Sequence, residues 1–167
     1  MTGSRRVVAA RDRVALAEPA AGDQAALAAG GPGPFDVDHD ERPLPYLPPA
    51  GSLVVLDGGR LAGDVGWIPV LNGPTYACLA WNIGIDLLPA ARGRGVGTLA
   101  QRLLAEHLFA TTDVDRVQAT TDVDNLAEQR ALERAGFRRE GVLRGAQLRG
   151  GRRRDIVMYG MLRGDLP

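Results

Sequence analysis

The stretch Arg92-Gly93-Arg94-Gly95-Val96-Gly97-Thr98 decides how this chain reads. An apolar, strand-like run at 83–88 and Pro89 precede it, and a helical pattern at 96–109 follows. Strand, glycine-rich turn and helix in that order make a cradle for phosphate. Glycine lets the backbone approach a ligand closely, successive N–H groups point inward, and the helix N-terminus adds partial positive charge. The sequence therefore predicts a phosphorylated ligand seated at the start of that helix.

Two common nucleotide readings fail on specifics. A dinucleotide fold places Gly-x-Gly-x-x-Gly after the first strand of a βαβ unit. Here Gly93, Gly95 and Gly97 alternate, and four strand-like runs come before them. A Walker loop needs Lys followed by Ser or Thr, and all 20 basic side chains of this chain are Arg.

Working outward, the segment 7–17 reads as a broken first strand in which Val14 and Leu16 alternate. Residues 22–29 form a short alanine-rich helix with Asp23 near its start. The segment 30–51 carries Pro32, Pro34, Pro43, Pro45, Pro48 and Pro49, which excludes a regular helix or a central strand. Phe35, Leu44, Tyr46 and Leu47 give it apolar anchors, so it is expected to lie over the domain as an ordered loop, either as a wall of the substrate site or as a mere connector.

Strands at 52–56 and 60–70 flank the turn Asp57-Gly58-Gly59, and Asn72-Gly73-Pro74 turns the chain into a long strand at 76–87. Alternation puts Tyr76, Cys78, Asn82 and Asp86 on one face of that strand. Trp81, Ile83, Ile85 and Leu87 fall on the other. After the helix come a strand at 116–121, a helix at 125–135 stopped by Gly136, and a hairpin of strands at 137–148 and 152–162. The class is α/β (α+β), a mixed and mostly antiparallel sheet with helices on both faces. No repeat divides the chain, so residues 1–167 read as a single domain.

Composition narrows the function classes. The hydrophobic content of 45% supports a sizeable core, and the formal net charge of zero gives no reason to expect nucleic-acid binding. One cysteine, Cys78, excludes an intrachain disulfide, and His39 and His107 lack metal-ligand spacing, so no metal is expected. No apolar run reaches membrane-spanning length and the first residues lack a signal-peptide core, which predicts a cytoplasmic protein.

The turn resembles the Arg/Gln-x-x-Gly-x-Gly/Ala signature of the GNAT superfamily of CoA-dependent N-acetyltransferases, here Arg92-x-x-Gly95-x-Gly97. Ile83-Gly84-Ile85-Asp86-Leu87-Leu88-Pro89 looks like the family's fourth strand. Asn125 followed by Ala135-Gly136-Phe137 looks like its Asn…Ala-Gly-Phe helix. Glu140-Gly141-Val142-Leu143-Arg144 and Asp155-Ile156-Val157-Met158-Tyr159 are similar to the tail of the RimJ/RimL-like branch. The resemblance runs from about residue 52 to the end and implies a GNAT fold. It also implies acetyl transfer from acetyl-CoA to a primary amine, on a small molecule or a peptide N-terminus, by a monomer or a homodimer. A non-catalytic CoA-binding module and a transferase of longer acyl groups are the alternatives.

In that reading the CoA pyrophosphate is bound at Arg92, Gly93, Arg94, Gly95, Val96, Gly97 and Thr98, on the N–H groups of residues 94–98 with the Thr98 hydroxyl added. The resemblance implies that the pantetheine arm runs beside the fourth strand, bonding its backbone near Ile85 and Leu87. It further implies a slot where the fourth and fifth strands splay, with Asn125 reaching the pantetheine amides; by position alone Asn125 is a plain N-cap.

The acid and base are where the chain departs from the pattern. Leu132 stands where many members carry Tyr, Glu128 where the branch tends to place Ser, and Asn82 where it often has an acid. Glu128 is the candidate acid, although a carboxyl in a helix's first turn is ordinarily a surface charge compensating the dipole. Asp86 and Asp122 are candidate bases, directly or through water. With the usual groups replaced, positioning and backbone electrostatics are expected to dominate, with no single indispensable side chain. Arg149, Arg152, Arg153 and Arg154 read as a solvated hairpin tip, and His107 as a packed helix residue.

Overall fold

A computed structural model of the chain describes residues 5–30, 33, 49–72 and 78–166. The described elements follow in order: β1 (Val7–Arg11), β2 (Val14–Ala17), α1 (Asp23–Ala28), β3 (Gly51–Asp57), β4 (Arg60–Leu71), β5 (Leu79–Leu87), α2 (Val96–Thr111), β6 (Arg116–Asp122), α3 (Leu126–Ala135), β7 (Arg138–Arg149) and β8 (Arg152–Leu162). The broken first strand is two strands. Asp12, at φ 51, turns Val7–Arg11 back on Val14–Ala17 as a hairpin. The family's fourth and fifth strands are consequently β5 and β6. The expectation that the proline-rich segment walls the acceptor site, with Phe35, Leu44, Tyr46 and Leu47, lies outside the described residues, as does Tyr76.

Eight strands form one sheet in the order β1-β2-β3-β4-β5-β6-β8-β7. Every pairing is antiparallel except β5 with β6, which α2 connects as a crossover. The period-2 patterns sort the strands cleanly. Val14, Leu16, Leu53, Val55, Val65, Ile83 and Val117 share the main core with Val96, Ala100, Leu104 and Leu108 of α2. The intervening Ala17, Val54 and Leu56 form a smaller cluster on the opposite face. The helix α2 is held by this stripe, whose full burial of Val96, Ala100 and Leu104 supplies about 25 cal/mol per Å² of apolar surface removed from water. The helix α1 lies against β4.

The parallel seam decides where function can sit. β5 and β6 pair only through Trp81↔Val117, Asn82↔Gln118 and Ile83↔Ala119. Beyond that point β5 stays paired with β4 as far as Leu87, and β6 with β8 as far as Asp122. Each strand is thus held on its outer side while the inner sides part. Residues 84–87 and 120–122 face each other across a gap, with backbone groups that have no partner strand there. Among the described residues, no helix is long and apolar enough to cross a membrane.

Candidate functional site

The glycine turn opens beside this gap. Pro89–Ala91 makes a 3₁₀ turn after β5, and the chain then reverses into α2. Gly93 has φ 70 and Gly95 has φ 79, left-handed conformations that a side chain disfavours. A Cβ at either position would meet nothing within 4 Å, so the space over the turn is open. Gly95 is the N-cap of α2 and no side chain caps the helix, although its carbonyl accepts from Leu99 N–H at 3.2 Å. The N–H groups of Val96, Gly97 and Thr98 have no acceptor within the helix. Gly97 sits against Leu87 and Ile85, close enough that a Cβ would touch them at 3.5 and 3.9 Å.

Ion pairs pin the turn from outside. The carboxylate of Asp57, in the β3–β4 hairpin, pairs with Arg13 at 2.7 Å and Arg94 at 3.2 Å. Arg13 also donates to the carbonyl of Arg94. The Nε of Arg92 donates to the carbonyl of Leu87 at 2.8 Å, and its guanidinium lies 3.6 Å from Asp86. Both arginines of the motif therefore brace the turn. The carbonyl of Leu87, expected to face a ligand, accepts from the protein's own Arg92.

Over the turn lies a cavity of about 370 Å³ lined by Leu87, Arg92, Gly93, Gly95, Gly97, Thr98 and α3 residues. A second cavity, of about 170 Å³, fills the gap between the parted strands. Ile83, Gly84 and Ile85 form one wall and Ala119, Thr120, Thr121 and Asp122 the other. Asn125, Glu128 and Gln147 close it. The sequence-predicted residues Ile85, Asn125, Glu128 and Asp122 thus meet in one place, whereas Asp86 does not line it.

Their environments differ. The side chain of Asn125 accepts from the Glu128 N–H at 3.3 Å, so the plain N-cap is present and faces the gap as well. Glu128 is half-buried at the cavity wall, where desolvation pushes its carboxyl up to about 7 against a hydrogen bond from Gln101 that pulls it down. The expectation of an ordinary surface charge is corrected: Glu128 lines the gap beside Asn125, the residue that caps α3.

Asp122 is 2% exposed, and its carboxylate is already occupied. It accepts the Asp124 N–H at 2.8 Å and pairs with Arg149. Gln129 completes this corner by donating to the carbonyls of Val123 at 2.9 Å and Asp122 at 3.2 Å. Arg149 is therefore no part of a solvated tip; it turns inward because a buried carboxylate needs a counter-charge. Asp86 is exposed and lies opposite Asp64 in the β4–β5 register. Leu132, at the usual Tyr position, is fully buried in the core. His107 packs edge-to-face on Trp67, with ring centroids 6.5 Å apart.

Sequence reasoning missed Gln101, Gln147, Arg130 and Arg134. Gln101 is 1% exposed and donates to the carbonyl of Gly97 at 3.2 Å. Its signal was a polar residue on the buried stripe of α2. Gln147 reaches the gap because the β7–β8 register shifts between Leu143 and Gln147, where the Gly145 N–H donates to Asp155 at 2.8 Å.

Comparison with known proteins agrees with this architecture. Residues 7–138 match the acetyltransferase (GNAT) domain. A probable N-acetyltransferase of Bacillus subtilis, YjcK, is 34% identical over 85 residues, 51% of this chain and 45% of that protein. An aminoglycoside N(6′)-acetyltransferase type 1 of Klebsiella pneumoniae is 40% identical over 63 residues, 36% of this chain and 31% of the enzyme. The matched stretches thus span less than half of each of these two relatives. The structure of Mycobacterium smegmatis RimJ in complex with CoA-disulfide superposes with a TM-score of 0.76 at 20% identity, covering 99% of this chain and 88% of that one. With the family domain matched over most of its length, and with the splayed parallel seam and the glycine turn in place, the chain belongs to the GNAT acetyltransferase family.

Proposed function

We propose that this protein transfers the acetyl group of acetyl-CoA to a primary amine in the cytoplasm. The observation that carries the reading is the parting of β5 and β6 after Ile83 at the mouth of an uncapped, glycine-started helix. The open space over Gly93 and Gly95 and the unbonded N–H groups of Val96, Gly97 and Thr98 suit a pyrophosphate. The edge at 84–86, which has no partner strand on the gap side, suits an extended arm carrying amides, with Asn125 at hand for one of them.

The neutral amine attacks the thioester carbonyl, the C–S bond breaks, the amine sheds a proton and the departing sulfur takes one up. Backbone N–H groups of the parted strand are placed to stabilise the developing oxyanion. Glu128 is the acid in this reading. Its carboxyl lies in the slot and titrates near neutrality, the range in which a proton donor is most effective. Asp122 serves as the corner that presents Asn125 and Glu128, and Asp86 lies outside the reacting pocket. Among similar proteins, the aminoglycoside N(6′)-acetyltransferase favours a small polyamine acceptor, and RimL, named a ribosomal L7/L12 alpha-N-protein acetyltransferase, keeps a protein N-terminus beside it; both are amines.

The test has two stages. Thermal-shift titration with acetyl-CoA should raise the melting temperature, as any ligand of the native state must. A panel of aminoglycosides and N-terminal peptides should then release CoA thiol. No stabilisation at millimolar acetyl-CoA overturns the reading. Tight binding without any acceptor turnover shifts it to a CoA-binding module.

A further inference from the structure

Arg130 and Arg134 are cations that the architecture does not account for. They stand one turn apart on α3, and with Ala127 and Ala131 they line the cavity over the glycine turn. Like charges at this spacing repel each other and destabilise a helix. The helix dipole offsets Arg134, which is in the last turn of α3, but not Arg130 in its middle. The third arginine lining the cavity, Arg92, is balanced by Asp86 and the Leu87 carbonyl, and Arg94 of the same turn, outside the lining, by Asp57. Neither Arg130 nor Arg134 has a carboxylate partner among the described residues. Between them Ala127 and Ala131 keep the helix surface low, so the cavity runs from the turn to both guanidinium groups.

We infer that Arg130 and Arg134 form a second anion seat, separate from the helix N-terminus, which takes the ribose 3′-phosphate of CoA and makes the protein prefer CoA to dephospho-CoA. The inference rests on the proposed function and names a specificity determinant within it. A pyrophosphate at the α2 N-terminus needs no side chain. A further phosphate on the same ligand needs fixed cations nearby, and guanidinium groups grip phosphate oxygens with paired N–H donors.

Isothermal titration of the protein with CoA and with dephospho-CoA decides this. The wild type should bind CoA about tenfold more tightly, a modest factor because both side chains are solvent-accessible. Arg130→Gln/Arg134→Gln should bind the two ligands equally, at the wild-type affinity for dephospho-CoA. Arg130→Lys/Arg134→Lys should keep part of the preference. Equal wild-type affinities, or a double variant that retains the full preference, overturn the second seat while leaving the proposed function standing. Failure of the wild type to bind either ligand overturns both. Both side chains are exposed, so the variants are expected to fold, which their melting temperatures check.

Discussion

The two cavities on either side of α3 are built on different principles. Over the glycine turn the proposed ligand-binding groups are backbone N–H donors, and the side chains brace: Asp57, Arg13, Arg94 and Arg92 hold the loop from outside. In the gap between β5 and β6 the side chains converge, with Asn125, Glu128 and Gln147 at the wall. A site made of backbone writes itself into sequence as glycine spacing. A site made of side chains from separate elements does not, because its members meet only through strand register and the way a helix is capped. The contrast predicts that the turn fails by blockage and the gap by loss of a single functional group.

The largest effect is expected at the turn. Gly95→Asp sets a carboxylate into the open space over a left-handed backbone that Asp tolerates better than most residues. It should weaken acetyl-CoA binding by about 10³-fold, on the order of 4 kcal/mol, with the melting temperature little changed. Titration calorimetry checks it. A folded variant with wild-type affinity would place the phosphates elsewhere and dissolve the distinction between the two cavities.

Next comes the corner beneath the gap. Asp122→Ala takes the buried carboxylate away from Arg149 and frees the Asp124 N–H. Breaking such a pair costs about 3 kcal/mol, which urea denaturation measures. For the fraction that folds, kcat should fall less than about tenfold, the mark of a positioning residue rather than a base. A loss of about a thousandfold in a folded variant would return Asp122 to the role of base.

Much of the fold was legible because it rests on local signals. Asp57-Gly58-Gly59 and Gly150-Gly151 located their hairpins, and the stripe Val96, Ala100, Leu103, Leu104 located α2. The hairpin at Asp12 was not, because a non-glycine residue at φ 51 leaves no turn signature in so short a stretch. The site was half legible. Gly93, Gly95, Gly97 and Asn125 stand where their motifs put them. Glu128 was named from its motif position but assigned the wrong surroundings, since which side of the first helical turn meets the slot depends on where the parted strands lie. Arg149 was read as solvated because its partner Asp122 is 27 residues away.

Glu128 is where the gap's chemistry can be broken directly. Glu128→Gln keeps the shape and removes the proton, so kcat should fall about 10²-fold while the KM for acetyl-CoA changes only a few-fold. In the wild type kcat should decline as pH rises through about 7, and the variant should lack that limb. A loss under tenfold would restore the expectation that positioning alone suffices. The same variant tests the burial. The carboxyl's pKa is raised on folding from 4.5 to about 7, so its contribution to stability is full below 4.5 and lost as pH rises through 7. Above pH 8 the variant should therefore be the more stable protein, by about 1–3 kcal/mol, with the difference vanishing near pH 4. Denaturation curves across that range that run parallel for the two proteins would mean Glu128 is solvated after all.

Asp86 should show the smallest effect, and it sharpens the comparison by lying just outside both chemistries. Its carboxylate is exposed, 3.6 Å from Arg92, and faces Asp64 across the β4–β5 pair. Asp64 is raised above its ordinary value, first by burial and second by the charge on Asp86. Asp86→Asn removes that second cause and loosens one of two restraints on Arg92, while the bond from Arg92 to the Leu87 carbonyl remains. The expected outcome is a KM for acetyl-CoA raised about two- to threefold, the size of one exposed ion pair, with kcat within tenfold of wild type. Steady-state kinetics on the acceptor found first would decide it. If kcat instead fell a hundredfold with binding intact, the base would lie on the Asp64–Asp86 face of the sheet, and the amine would have to approach the thioester from that side rather than through the gap lined by Glu128.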